Sequence, residues 1–472
     1  MLKDIVMQDF RILSTQQPPR VLYAGLLVLL AMCLNCGSAL ADNIDKEIED
    51  IVTQIQLPVI PDREVNVLDY GAKGDGRQND RPAIMAAIED LVARGGGKLV
   101  LPEGVWLSAG PVVLQSKIEL HLRKGARLLF SADASDYLPV VKTRWEGTEM
   151  YGYSPLVYAR DVTDVAITGT GSIDGNPQSE FHDWYQKQQQ NMQQLRRMGI
   201  DQTPLAQRQF GDGTYLRPSL VQFIGAKRVL LENYTSLNSP FWVNHLIYTD
   251  HATVRGIRVD SHFSNNDGVD LDSVTYALVE DSWFRTGDDA VVIKSGRDRD
   301  GRNIARPSRH IVVRNNDMGG EDGIGLGSEM SGGISHVYFD RNVLRKGKAA
   351  IRFKGSLDRG GLVEHVRVTN MRIGEFDDLF WFQLNYPGVI EGGHPSQYRD
   401  ILFRNIEVEK TNTVFEIHAY KDAPLTDVRV ENVHIKEAQT PFVLENVQGL
   451  KLENLSIQGQ RFDGLLNATD RQ

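Results

Sequence analysis

Cysteine is almost missing from this 472-residue chain: there are two, Cys33 and Cys36, and both fall within the first 41 residues. Beyond that stretch no disulfide framework can hold a fold, so stability has to come from a large core rather than from covalent staples. Linker sequence is missing too. No proline-, serine- or charge-rich run divides the chain, so a single elongated repeat domain accounts for its length better than two or three separate ones. Positive charge is short: 52 lysines and arginines stand against 62 acidic residues, a formal charge of -10, and no basic face is evident. Nucleic acid is thereby disfavoured as a partner, since phosphate binding requires such a face. A confident membrane span is missing as well, because the apolar run Val21 to Leu34 falls short of the ~20 residues that a helical crossing takes.

The same run follows Arg20 and precedes Ala39-Leu40-Ala41, the small-x-small pattern of a signal-peptidase site. Residues 1–41 are therefore expected to be a signal peptide. Its removal takes away both cysteines and leaves an exported protein, periplasmic or secreted, with no stable membrane insertion. A lipid anchor on Cys33 or Cys36 is the competing reading, disfavoured because Met32 and Asn35 stand where such a signal wants a small residue.

What the chain does have is periodicity. Residues 42–64 form a lead, after which Val65 to Leu68 reads as a strand running into the glycine-rich turn Gly71 to Gly76. Asp80 is placed to cap a following helix, Pro82 fits its first turn, and Ile84, Ile88, Leu91 and Val92 give it one apolar face. No Gly-Lys-Ser/Thr follows the glycines, so a phosphate loop is disfavoured, and the helix is expected to cover the open end of a repeat array. From Val165 onward a unit of alternating apolar residues recurs. Its starts are Val229, Ala252, Ala277, Ile311, Val337, Val366, Ile401, Val428 and Leu450, spaced 22 to 35 residues apart. Periods of that size mean a solenoid, and β-branched residues broken by glycine mean coils of parallel strands. The expected fold class is all-β: a parallel β-helix over 65–460 with a short N-terminal capping helix and a C-terminal tail over 461–472. Asn370, Asn405, Asn432 and Asn454 take the same place in four units and are expected to be structural, their amides bonding backbone or neighbouring coils. Wide spacings at 297–307 and 386–398 mark loops leaving the coil. The polar stretch 182–197 reads as an inserted surface helix.

Within 265–354 four segments can be laid over one another without gaps: Asp267 to Asp272, Asp289 to Lys294, Asp322 to Gly327 and Ala349 to Lys354. Alternation sends Val269, Val291, Ile324 and Ile351 inward in one column and Leu271, Ile293, Leu326 and Phe353 in another. Asp267, Asp289 and Asp322 then share a column at steps of ~4.8 Å, with Asp288 one residue earlier and Arg352 and Lys354 outward on the fourth coil. Carboxylates so close raise one another's pKa, so one should stay protonated. A proton donor facing an ionised partner suits glycosidic cleavage, and the basic pair suits a substrate bearing its own carboxylate. A lone aspartate at such a turn is ordinarily solvated turn chemistry; the shared column beside a basic pair is what sets this cluster apart. Calcium held by Asp267, Asp270 and Asp272 competes, but no further acids converge at the spacing of a known loop. Neither a metal nor a cofactor is expected.

At these residues the chain resembles glycoside hydrolase family 28, the polygalacturonase family. Asn265-Asn266-Asp267 matches its Asn-Thr-Asp motif, Gly287-Asp288-Asp289 its Gly-Asp-Asp, and Arg352-Phe353-Lys354 its Arg-Ile-Lys. Asp69 to Gly76, Ser154 to Tyr158, Asn238 to Trp242 and Ile293 to Arg297 resemble bacterial members, and the resemblance covers about Val65 to Gly459. It implies a right-handed parallel β-helix that hydrolyses α-linked galacturonate in pectin with inversion, acting on an acidic plant-type polysaccharide or oligosaccharide. Asp288 would be the general acid, Asp267 and Asp289 would position and activate water, and Arg352 and Lys354 would hold the sugar carboxylate. Asn265, Asp322, Glu321, Lys294 and His245 are further candidates for substrate binding. One departure matters. The family's Gly-His-Gly falls on Gly320-Glu321-Asp322, so two acids stand where an imidazole and a glycine are expected. They should raise the donor's pKa and repel an anionic sugar, so either the pH optimum shifts or the subsite accepts a neutral residue. A polysaccharide lyase on the same solenoid and a non-catalytic carbohydrate-binding solenoid are the alternatives. The 182–197 insertion is expected to wall one end of the groove and make cleavage exo-acting.

Overall fold

The computed structural model describes residues 43–469, so the expected signal peptide over 1–41 lies outside the described residues. The chain divides at Asp50. The first unit, described from Asn43, is helical. The second holds a parallel β-helix in which each strand pairs with the strand one coil on.

Register follows from alternation, because a slip of one residue would turn every apolar column outward. Val229, Ala252, Ala277, Ile311, Val337, Val366, Ile401, Val428 and Leu450 pair in unbroken succession, so the repeat read from sequence is the coil of the structure. A second row stacks Val269 on Val291, Ile324, Ile351 and Phe380, and Leu271 on Ile293, Leu326, Phe353 and Phe382. All of these side chains are buried. Aromatic rings continue the column: Phe353 lies 4.3 Å from Phe382 with the rings 3° from parallel. This row carries the outward-facing residues discussed below.

The four asparagines form a ladder at a turn. Each sits in the left-handed region, with φ between 53° and 59°. Asn405 donates to Asn370 at 3.1 Å, Asn432 to Asn405 at 3.2 Å and Asn454 to Asn432 at 3.0 Å, while Asn370 donates to Asp340 at 2.8 Å. Asparagine tolerates that backbone and its amide serves as donor and acceptor at once. Asn405→Ala loses both properties and is expected to cost about 1–2 kcal/mol. Asn405→Gly keeps the turn and should lose less; thermal denaturation of the two variants beside the parent measures the difference.

Three details differ from the sequence reading. Helix α1 (Arg81–Ala93) buries Ala83, Ile84, Ala87, Ile88 and Leu91 as expected of a cap, but the Asp80 carboxylate does not cap it. Asp80 instead accepts from the backbone N–H of Lys73 at 2.9 Å and of Gly74 at 3.0 Å, closing the glycine-rich turn. Both bonds are made to the carboxylate of a fully buried residue, which leaves it no oxygen for the helix end. The expected C-terminal tail is a strand: Gln460–Ala468 pairs antiparallel with Val447–Ile457 and covers the edge of the last coil. The 182–197 insertion is two helical pieces rather than one surface helix, a 3-10 turn at Glu180–Gln186 and α2 (Gln189–Ile200). Phe181 and Trp184 are buried with ring centroids 4.8 Å apart. Arg196 is buried too, its charge met by Asp298 at 2.7 Å and Asp358 at 2.9 Å. Ion pairing lets this one cation go inside while Gln189, Gln190, Gln193, Gln194 and Arg197 stay exposed. Asp298 begins α3 (Asp298–Ile304), in one of the loops expected to leave the coil.

Candidate active site

The acidic residues stand at the turns that enter the second row of strands, and the turns are fixed by their own chemistry. Asn266 is fully buried. Its amide donates to the carbonyls of Ser239 at 3.0 Å and Phe241 at 2.9 Å, and its oxygen accepts from Ser261 Oγ at 2.6 Å and Phe263 N at 3.1 Å. One coil on, the residue before Asp288 has to be glycine, because a Cβ at Gly287 would lie 2.3 Å from the Phe263 carbonyl oxygen. Turns held this way bring Asp267, Asp288 and Asp289 together: each offers an oxygen, and these oxygens lie within 4.8 Å of one another. Asp267 and Asp289 are buried, at 2% and 0% exposure, whereas Asp288 is partly open to solvent.

The three acids differ in environment. Burial, then the neighbouring Asp289, pushes the Asp288 carboxyl up to about 6. Burial together with Asp270 and Asp288 raises Asp267 well above the carboxylate range, and Asp270 is raised by burial as well. Asp289 accepts from Lys354 Nζ at 2.5 Å. Burial alone would lower the Lys354 ammonium, but Asp289 and Asp322 outweigh it and hold it charged. Asp267 Oδ1 and Asp289 Oδ1 find no donor among the described residues. Both oxygens are buried and unpartnered among those residues, beside the partly open Asp288 carboxyl.

The other expected site residues divide by burial. Asn265 belongs at the site: its oxygen accepts from Arg217 Nη2 at 2.6 Å, and its amide lies 3.4 Å from Asp288 Oδ2. Arg352, half-buried, and Lys354, buried, lie beside the acids, and neither is free. Arg352 donates to Asp322 at 2.6 Å and to Gln383 at 2.6 Å. Asp322 is therefore a buried counter-ion to Arg352. Glu321 is exposed on the turn, with an oxygen 3.9 Å from Lys348 Nζ. Lys294 and His245 are buried as well. Lys294 is 4% exposed and faces Glu329 at 3.2 Å, Asp267 at 3.5 Å and Asp270 at 3.7 Å. His245 is fully buried, 3.5 Å from Asp272, and burial lowers its pKa despite that neighbour. Calcium at Asp267, Asp270 and Asp272 is disfavoured by the same geometry. The Lys294 ammonium stands against two of these residues, and Asp272 is bound by Arg144 at 2.9 Å and the Gly296 N–H at 3.1 Å.

Three residues at the site had no place in the sequence reading. Trp381 supports the Arg352 guanidinium 4.0 Å above its ring. Carrying the repeat alignment one coil further would have found it, since Trp381 pairs with Arg352 and Gln383 with Lys354. Arg217 comes from the stretch behind α2. Burial brings its pKa down to about 10, and its guanidinium sits 5.3 Å over the exposed Tyr185 ring. Glu329 follows a strand end and bears no repeat signature. Neither it nor Arg217 had a signal in the pattern.

Comparison with known proteins bears on this arrangement. A sequence model described as "Glycosyl hydrolases family 28" matches residues 140–456, and one described as "Rhamnogalacturonase A/epimerase, pectate lyase-like" matches 64–128. A protein of Vitis vinifera named "Probable polygalacturonase" is 29% identical over 413 residues, covering 82% of this chain and 77% of its own length. Among solved structures, a hyperthermoactive exopolygalacturonase from Thermotoga maritima shares 38% identity with a TM-score of 0.86, covering 91% of this chain and 99% of the other. An exopolygalacturonase of Yersinia enterocolitica, at 20% identity and a TM-score of 0.70, covers 87% of this chain and 78% of its own and shows the same fold.

Proposed function

The chain belongs to glycosyl hydrolases family 28, and from that premise we propose that it hydrolyses α-linked galacturonate in pectic chains by single displacement. Asp288 protonates the glycosidic oxygen as the bond to the leaving sugar breaks. A water held by Asp267 and Asp289 attacks the anomeric carbon, and Asp289 takes its proton. The observation that carries this reading is the contrast within the triad: one carboxyl partly open and pushed up to about 6, two sealed below it with free oxygens.

Contact of the three acids within 4.8 Å is nearer the ~5 Å separation of retaining enzymes than the ~6.5–9.5 Å of inverting ones. Charge supports inversion all the same. Asp289 is bound to Lys354, and burial beside Asp270 raises the Asp267 carboxyl, so neither is the free ionised carboxylate that a covalent intermediate needs. Proton NMR of the first-formed product on a galacturonan oligomer tests this: the β-anomer should appear first, and an initial α-anomer would refute single displacement. Catalysis also needs Asp288 protonated. kcat/KM should therefore fall by about tenfold per pH unit above about 6, as a pH–rate profile would record.

Chain-end cleavage is part of the proposal. Arg196 of α2 is bonded to Asp298, to Asp358 and to the Gly388 carbonyl, so the insertion is tied to loops from two later coils. Such a brace beside the groove supports an end wall, and the Thermotoga maritima structure, similar over most of the chain, is of an exopolygalacturonase. Products separated by size decide it; long oligomers early in digestion would contradict an exo mode. Export to the periplasm or medium rests on the pattern in residues 1–41 and is read by cell fractionation. A lyase would need a free basic proton acceptor, and Lys294, Lys354 and Arg352 are each committed to carboxylates.

A further inference from the structure

Asp322 stands where the resembled motif has a glycine, and what that substitution does is now visible. Its side chain is fully buried. Oδ1 accepts from the Ala349 N–H at 3.1 Å, Oδ2 accepts from Arg352 Nη1 at 2.6 Å, and Lys354 Nζ lies 4.0 Å away. On its other side the Arg352 guanidinium donates through Nη2 to Gln383 and lies flat over Trp381. The Arg352 charge is thus balanced by Asp322, and the Lys354 ammonium is held between Asp289 and Asp322. A substrate carboxylate at Arg352 would have to share a cation on which the buried Asp322 already depends, the next nearest cation to Asp322 being 4.0 Å off. It would also enter a field set by Asp267, Asp288 and Asp289.

We propose that the sugar unit lying against Arg352 and Trp381 carries no free carboxylate. The inference rests on the hydrolase reading above and names the substrate class of that same site: a pectic chain in which one unit flanking the cleaved bond is uncharged. Chemistry at the site suits such a unit. With Arg352 balanced by Asp322 and Lys354 by Asp289, an uncharged unit needs no unpaired cation there and brings no anion near the buried Asp322. Two kinds of sugar share this chemistry, a methyl-esterified uronate and a neutral hexose or deoxyhexose.

The test uses trisaccharides that differ only in one unit flanking the cleaved bond: free galacturonate, its methyl ester, or a neutral sugar. With the unmodified protein, kcat/KM for one or both uncharged forms should exceed that for the free acid by about tenfold or more, because like charges brought together at a desolvated site repel strongly. The ester and neutral arms then identify which source the site takes. Equal or faster cleavage of the free acid overturns the proposal. Asp322→Asn, checked for an intact thermal transition, frees Arg352 and should shift the ratio toward the free acid; an unchanged ratio also overturns it. If none of the three is cleaved, the hydrolase reading is what fails. The charge preference is then read by calorimetric titration of the same three sugars, where tighter binding of the free acid refutes it and weaker binding supports it.

Discussion

Asp288→Asn is expected to lower kcat by roughly 10^2- to 10^4-fold, the range a positioned general acid contributes. KM should change little, since asparagine has the same shape and can still accept from the Asp289 N–H, now at 3.0 Å from Asp288 Oδ1. What the amide cannot do is surrender a proton to the departing oxygen. Two consequences separate this from a general loss of structure. A galacturonosyl fluoride, whose leaving group needs no proton, should be hydrolysed by the variant at a rate close to that of the parent. The fall in rate above about 6 that the parent owes to Asp288 should also vanish. A carbohydrate-binding solenoid without catalysis predicts instead that the substitution changes nothing, and a variant that turns over the natural linkage at the parent rate would remove Asp288 from its role.

Much of this site was legible because a solenoid converts sequence spacing into vertical position. Once Val269, Val291, Ile324 and Ile351 are aligned, every residue between them inherits a height and a side of the sheet, and the structure keeps that alignment without a slip. Alternation says which way a side chain points, but not whether something covers it. That is why alternation turns Lys294 and His245 outward while the structure holds both buried. Coverage comes from insertions, whose residues have no coil to be aligned with. Arg144 reaches Asp272 from the hairpin of Val141–Trp145 and Thr148–Gly152, and Arg217 reaches Asn265 from behind α2, each across more than a coil of intervening chain. Asp322 shows the remaining limit. Its column was right, yet its partner could not be chosen: a carboxylate there could equally repel substrate or neutralise Arg352, and only side-chain geometry decides for the second.

Lys294→Met is expected to destabilise the protein by about 3–5 kcal/mol, the cost of removing one partner from a buried ionic cluster. The Lys294 ammonium stands among Glu329, Asp267 and Asp270, all buried. Burial disfavours its charge, yet these carboxylates together raise its pKa well above the usual value. Glu329 feels the reverse: burial pushes it up, while Lys294, then Arg297 and Arg359, hold it well below its ordinary range. Methionine fills a similar volume, so the loss is electrostatic rather than a cavity. Without the ammonium, Asp267 and Asp270, already raised, are raised further and stay protonated when folded. Such groups contribute stability that is full below the unfolded carboxylate pKa of roughly 4 and is lost as pH rises through the folded value. The gap in melting temperature between variant and parent should therefore widen from pH 4 toward pH 7. Turnover should fall along with it, because a further proton beneath Asp288 leaves Asp267 a poorer acceptor for the attacking water. A melting temperature unchanged across that range would mean that Lys294 does not balance the acids, and with it would go the electrostatic account of how three buried carboxylates are held under one open acid.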